Sequence, residues 1–346
     1  MLTVTYGAMH FLVDFICTWA MFGSFLGGER GYFYILIYNF CAFALQMPAG
    51  TALDLLRSRD DGSRRKWLAP GCAVLGAVLT VLGALTHPAV LGLGNALFHT
   101  GGGVDVTRRD FACRRGGRDL GLFVAPGAVG LYLGTLLGKK ESSLLILLAA
   151  AGILAAGAGL LIVLKRRTAE QPLTFSGKAE KSKLPVLILC CFAVVILRSW
   201  TGFEAGFDWK KDALPGFFAV LAVAGGKAAG GFLAARFGTG KTVAVTLLLA
   251  AVCFLFGQQP VFGLAALLLF NMSMPSTLYL LGKHMPDMLG FSFGLLTFGL
   301  FLGFLPVYGE LKLPIGPQLA CAAGSVLSAA LMLLGWKAVD RDRISA

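Results

Sequence analysis

The chain has 346 residues, 57% of them hydrophobic and only 14% charged, with a mean hydropathy of +0.76. A soluble domain carries about 25% charged residues, so this composition excludes a water-soluble globular protein and reads as an integral membrane protein. The net charge of +12 would suit a nucleic-acid partner, but the placement of the basic residues assigns it to membrane topology.

Long apolar runs with Gly and Pro inside them predict transmembrane helices, since a β-barrel would alternate with period two. About 20 apolar residues cross the hydrocarbon core. On that scale twelve spans follow in chain order, at 1–26, 32–55, 67–86, 88–106, 120–138, 142–164, 184–207, 213–235, 242–256, 260–282, 288–308 and 315–336. The first has neither the basic leader region nor the small-residue cleavage site of a signal peptide and is read as a span. The ninth is short and the eleventh Gly-rich. Most connections are a few residues long and leave no room for a soluble domain.

Of the 30 Lys and Arg residues, 22 fall in loops after even-numbered spans or in the tail, six after odd-numbered spans, and two, Arg198 and Lys227, inside spans. Positive charge marks the cytoplasmic side, so both termini are expected there. The longest connection, 165–183, is polar and divides an N-terminal half, 1–164, from a C-terminal half, 184–346. All cysteines but Cys113 lie in apolar stretches, with no disulfide framework or metal spacing.

The halves share a local pattern. Gly50-Thr-Ala-Leu-Asp54 precedes a basic cluster ending Arg64-Arg65-Lys66, and Gly231-Phe-Leu-Ala-Ala235-Arg236 leads to Gly238-Thr-Gly240-Lys241. A parallel repeat of six spans is a transporter signature. These loops resemble the signature loop G-x-x-x-D-R-x-G-R-[RK] of the major facilitator superfamily, with Leu55 in place of an Arg and Ala235 in place of the second Asp. Four shorter blocks, His10-Phe11-Leu12-Val13-Asp14, Ala96-Leu97-Phe98-His99, Leu197-Arg198-Ser199-Trp200 and 286–294, resemble the fosmidomycin-resistance-type efflux proteins of that superfamily. The resemblance implies an all-α membrane protein of twelve transmembrane helices in two six-helix halves, a cavity lined by spans one, four, seven and ten, and proton-driven export of a small organic compound.

Each of those four spans carries polar residues near its midpoint: His10 and Asp14, His99, Arg198, and Asn271. Arg198 follows thirteen uncharged residues, 185–197. An arginine at that depth costs about 2.5–3.5 kcal/mol and usually faces a bundle interior or a wet cavity. Its five donors in a rigid fork suit a carboxylate or phosphate; the alternative is a structural partner for Asp14 or Glu204. His10 and Asp14 are i, i+4 on one helix face, and a carboxylate beside an imidazole can hold and release a proton. They are the expected proton-coupling pair, the alternative being a packing role.

Arg198, His99, Trp200 and Asn271 are the expected substrate-binding residues. For His99 a backbone-satisfied histidine is the alternative, and for Trp200 simple packing. Asp54, Arg64, Arg65, Asp105, Arg108 and Arg236 are the expected gating residues, and Glu204 and Asp208 stand toward the outer mouth. Ala125-Pro126-Gly127-Ala-Val-Gly130 loosely resembles the Gly-Pro motif of antiporters. Gly240-Lys241-Thr242 resembles a P-loop ending, but its surroundings are membrane.

The sequence therefore reads as a proton-coupled secondary transporter of the inner (plasma) membrane, exporting a small anionic or zwitterionic compound by alternating access. The expected partners are the lipid bilayer, the substrate and protons, with no nucleic acid, cofactor or metal. A monomer is expected, and no enzymatic activity. Uptake symport, or a non-transporting sensor or assembly role, are the alternatives.

Overall fold

In hydrocarbon every backbone N–H and C=O must be satisfied inside the chain, which is why apolar runs of this length fold as helices. The computed structural model describes residues 1–59, 64–140, 143–168, 173, 182–311 and 313–340, and all regular structure among them is helical. Lys178 and Lys181 of the long connection, Lys312, and Arg341 and Arg343 of the tail lie outside the described residues.

The helices are α1 (Leu2–Ala20), α2 (Gly31–Asn39), α3 (Gln46–Arg59), α4 (Arg65–Thr86), α5 (Pro88–Ala112), α6 (Arg118–Lys140), α7 (Leu144–Arg167), α8 (Leu184–Glu204), α9 (Ala213–Phe237), α10 (Thr239–Leu255), α11 (Pro260–Asn271), α12 (Ser273–His284), α13 (Leu289–Tyr308) and α14 (Pro317–Asp340). Wider π-helical turns at Met21–Phe25 and Phe40–Ala44 extend α1 and join α2 toward α3.

Ten helical stretches among the described residues are long and apolar enough to cross a membrane. The expected spans 88–106 and 242–256 are not in that set. α5 has the length but carries Asn95, His99 and Asp105 among many glycines, and α10 is only 17 residues long. The chain is a multi-pass integral membrane protein, and its surface agrees: Leu145 is 73% exposed and Val261 77%, an apolar exterior that suits lipid and not water.

Local chemistry explains the helix ends. Pro185 and Pro260 sit in first turns, where a missing N–H costs nothing. Ser143 caps α7 by accepting from the Leu145 amide at 3.3 Å. The expected tenth span is two helices broken at Met272, because Pro275 has no N–H for the carbonyl of Asn271 four residues back. Around that break Asn271 donates to the Leu267 carbonyl and Ser273 to that of Phe270.

The chain divides into two compact units. The first comprises Met1–Arg109, Leu122–Pro172 and Asp287–Phe298; the second comprises Asp110–Gly121, Leu173–Pro286 and Gly299–Ala346. In the first, α1 is central, packs on α4 and α7, and buries Tyr6, Met9 and Ile16 completely or nearly so. In the second, α14 packs on both α8 and α10, and α9 on α11.

Candidate functional site

In the first unit, α1 repeats polar residues every four positions, at Tyr6, His10 and Asp14, so all three lie along one face. α5 does the same with Asn95 and His99. The two ladders meet. His10 Nε2 lies 3.1 Å from Asp14 Oδ2 and 2.8 Å from His99 Nε2, and His99 Nε2 lies 3.6 Å from Asp14 Oδ1. Asn95 donates to Asp14 Oδ1 at 3.1 Å and to Cys17 Sγ at 3.5 Å, and Tyr38 extends the network through Cys17. The far nitrogen of each imidazole is anchored on a main-chain carbonyl: His10 Nδ1 on Phe123 at 2.8 Å, His99 Nδ1 on Asn95 at 2.9 Å.

His10 is 5% exposed, Asp14 6% and Asn95 3%, and polar groups this deep persist because they satisfy one another. Gly127 of α6 lies against the pair. A Cβ there would fall on His10 Nε2 and on the Asp14 carboxylate, so the absence of a side chain lets α6 close over the cluster.

His10, Asp14 and His99 also offer three ligand atoms within 4.8 Å of one another, the only such group among the described residues. Two imidazole nitrogens on one tetrahedral zinc, each about 2.0–2.1 Å from the ion, stand roughly 3.3 Å apart. The observed 2.8 Å is instead the length of a hydrogen bond.

Further along the same helices, Tyr6 donates to Asp105 Oδ2 at 2.9 Å and Lys165 of α7 to Asp105 Oδ1 at 2.7 Å. Asp105, one of the expected gating residues, is thus held by Tyr6 and Lys165. Phe123 separates the two polar groups, its ring 4.9 Å from that of His10 and 6.3 Å from that of Tyr6.

Asp54 accepts from the Gly290 amide at 3.0 Å and the Phe291 amide at 2.8 Å, capping the N-terminus of α13. Gly50, four residues earlier, crosses Gly290 backbone to backbone. The charges of Arg57 and Arg108 act on the Asp54 carboxylate. Arg57 donates to the Arg65 carbonyl at 2.7 Å, and Arg64 is exposed.

The second unit holds Arg198, Trp200, Asn271 and Arg236. Arg198 is 8% exposed and its Nη1 has no hydrogen-bond partner; among the described residues it forms no ion pair. The alternative reading, a structural pair with Glu204 of the same unit, finds no ion pair among the described residues, and Asp14 of the first unit is engaged by His10, His99 and Asn95. The neighbouring Ser199 donates to the Leu300 carbonyl at 2.7 Å, and the α13 backbone at Gly303 lies close to Ile196 and Ser199.

Trp200 is half-buried and Asn271 is tied to its own helix. Arg236 is exposed over the Phe237 ring. Gly231, which mirrors Gly50 in the repeat, meets the backbone of Gly117, but Ala235 supplies no capping carboxylate there. Outside the spans, Asp208 pairs with Lys211 at 2.7 Å, a hydrogen bond that holds the ammonium above its ordinary pKa.

Sequence reasoning missed Asn95, Tyr6 and Lys165, and read Gly127 only as part of an antiporter-like motif. The four-residue spacing was a usable signal for two of them, since Tyr6 stands one turn before His10 and Asn95 one turn before His99. Lys165 and Gly127 come from other helices, and only folding places them.

No family model matches the chain, and no curated protein matches it either. Solved structures do. A major facilitator superfamily transporter, FucP, in the outward conformation is 14% identical, covering 96% of this chain and 99% of that one, with a TM-score of 0.63. A variant of the E. coli fucose:proton symporter FucP is 15% identical over 97% of each chain, TM-score 0.63. The human organic anion transporter MFSD10 (TETRAN) is 17% identical over 96% of this chain and 99% of that one, TM-score 0.65. These likenesses establish the major facilitator fold.

Proposed function

We propose that the chain is a proton-coupled secondary transporter that exports a small organic anion by alternating access. Its halves, 1–164 and 184–346, would rock about a midplane site, with the basic loops and both termini on the cytoplasmic side.

The observation that carries the anion is Arg198. A guanidinium is charged at every physiological pH, and this one is buried with Nη1 unmatched. Holding a charge there costs free energy that no carboxylate among the described residues offsets, which makes sense if a substrate carboxylate or phosphonate is its partner for part of the cycle. His10 and Asp14 supply a buried proton-binding pair. The short blocks that resemble fosmidomycin-resistance-type proteins favour export, and among proteins of this fold one is an organic anion transporter and another a fucose:proton symporter.

Coupling follows if the protonated and deprotonated pair favour different conformations, each with its own affinity for the anion. The test is purified protein in liposomes loaded with a pH-sensitive dye and challenged with a panel of alkyl carboxylates and alkyl phosphonates. At least one anion should move protons in wild type, in the opposite direction to itself, and Arg198→Met should abolish that flux. Proton movement in the same direction as the anion would make the chain an importer. No anion-linked proton movement across the panel would refute the reading.

A further inference from the structure

The anchoring of the two imidazoles has a chemical consequence. A backbone carbonyl accepts hydrogen bonds and has no proton to give. His10 Nδ1 at 2.8 Å from the Phe123 oxygen, and His99 Nδ1 at 2.9 Å from the Asn95 oxygen, must therefore both be N–H donors. In a neutral imidazole with Nδ1 protonated, Nε2 is a bare lone pair. Both Nε2 atoms would then be acceptors, yet they face each other at 2.8 Å with the Asp14 oxygens 3.1 and 3.6 Å away. Three acceptors cannot converge like this without a cation between them.

We propose that His10 and His99 share one proton between their Nε2 atoms, with Asp14 as its counter-ion, so that His99 is a coupling residue and not a substrate ligand. Loading takes one proton from water onto an Nε2 lone pair, and release returns it. The loaded triad is neutral, an imidazolium–imidazole pair beside a carboxylate, and this form suits a buried site. The empty triad carries one uncompensated negative charge and two opposed lone pairs, so it has a reason to open. The proton is thus linked to whether the α1 and α5 imidazoles stay in contact.

The surroundings are consistent with one site. On α1 the other titratable groups are Asp14 itself, Cys17 and Tyr6; α2 brings Tyr38, α4 Cys72, α5 Asp105 and α7 Lys165. Asp105, Tyr6 and Lys165 bond one another beyond Phe123. α6 contributes the Phe123 carbonyl and the bare backbone of Gly127. Asp14 therefore supplies the counter-charge in direct contact, and Asn95 orients it.

This assignment uses the proposed transport only for the proton's purpose, and its test needs no substrate. The full chain is labelled with ring-15N histidine in lipid nanodiscs, with His87→Gln and His284→Gln removing the other two histidines. Both Nδ1 atoms should stay protonated between about pH 5 and pH 9, while the two Nε2 atoms bind one proton in a single step felt by both rings. His99→Gln offers a neutral amide donor to His10 Nε2, so proton uptake in that range should fall by one per chain with the fold retained. Two rings titrating independently, or Nε2-protonated neutral tautomers, overturn the proposal. Stoichiometric zinc binding by wild type that His99→Gln abolishes also overturns it. If the spectra show the shared proton but no anion moves in liposomes, the transport reading fails and this one stands.

Discussion

Replacing Arg198 by Met separates two roles that predict opposite signs. The side chain is 8% exposed, its Nη1 is unmatched, and no carboxylate pairs with it among the described residues. An arginine held at mid-membrane costs about 2.5–3.5 kcal/mol, and Met fills much of the same volume without that charge. Allowing for packing lost around the guanidinium, Arg198→Met should stabilise the protein by about 1–3 kcal/mol. At roughly 2 °C per kcal/mol for a large chain, that is a rise in Tm of a few degrees.

Had Arg198 been half of a buried ion pair, removing it would strand a carboxylate and cost about 3–5 kcal/mol, and Tm would fall. The assay is thermal unfolding of purified protein in detergent by tryptophan fluorescence, with and without the anions that move in liposomes. A bound anion at 100 times its Kd adds about 2.7 kcal/mol of stability; wild type should show that shift and Arg198→Met should lose it. A large drop in Tm, or an anion shift that survives the substitution, would refute the argument.

The other expectations concern helix ends and close contacts. Asp54→Ala removes the acceptor for the Gly290 and Phe291 amides; it should cost about 0.5–2 kcal/mol and speed hydrogen exchange at those amides, and unchanged exchange would mean the cap has no energetic role. Gly127→Ala puts a methyl group on His10 Nε2 and the Asp14 carboxylate, so it should destabilise by about 1–3 kcal/mol and lower proton-driven flux. Gly152→Ala is its control, since a Cβ at Gly152 meets nothing within 4 Å. It should be neutral or stabilising by up to about 1 kcal/mol, and equal effects at the two sites would show that the contact with His10 is unimportant.

Much of the architecture was legible in the linear chain because lipid imposes one rule on it. An apolar run must satisfy its own backbone, so hydropathy alone located most helices to within a few residues. The rule is weakest where composition is mixed. α5 needs glycines and polar residues for its inner face, and its average hydropathy falls accordingly. The break at Met272 was foreshadowed by Pro275, but a window average passes over it, because the surrounding residues are as apolar as any span.

The candidate site was legible as residues but not as pairings. His10 and Asp14 are one turn apart, so helical geometry alone brought them together. His99 is 89 positions beyond His10, and its contact with His10 depends on how α5 lies against α1. The same dependence joins Asp105 to Tyr6 and Lys165.

By itself, then, the sequence determined which stretches form long apolar helices and which loops carry positive charge. These follow from transfer free energies summed along the chain. Tertiary structure alone decided which polar residues touch, because contact depends on helix rotation and packing, down to the bare backbone of Gly127 closing over His10 and Asp14. From that packing comes the 2.8 Å contact between two imidazoles, each with its other nitrogen tied to a carbonyl, and with it the reason to place a proton there.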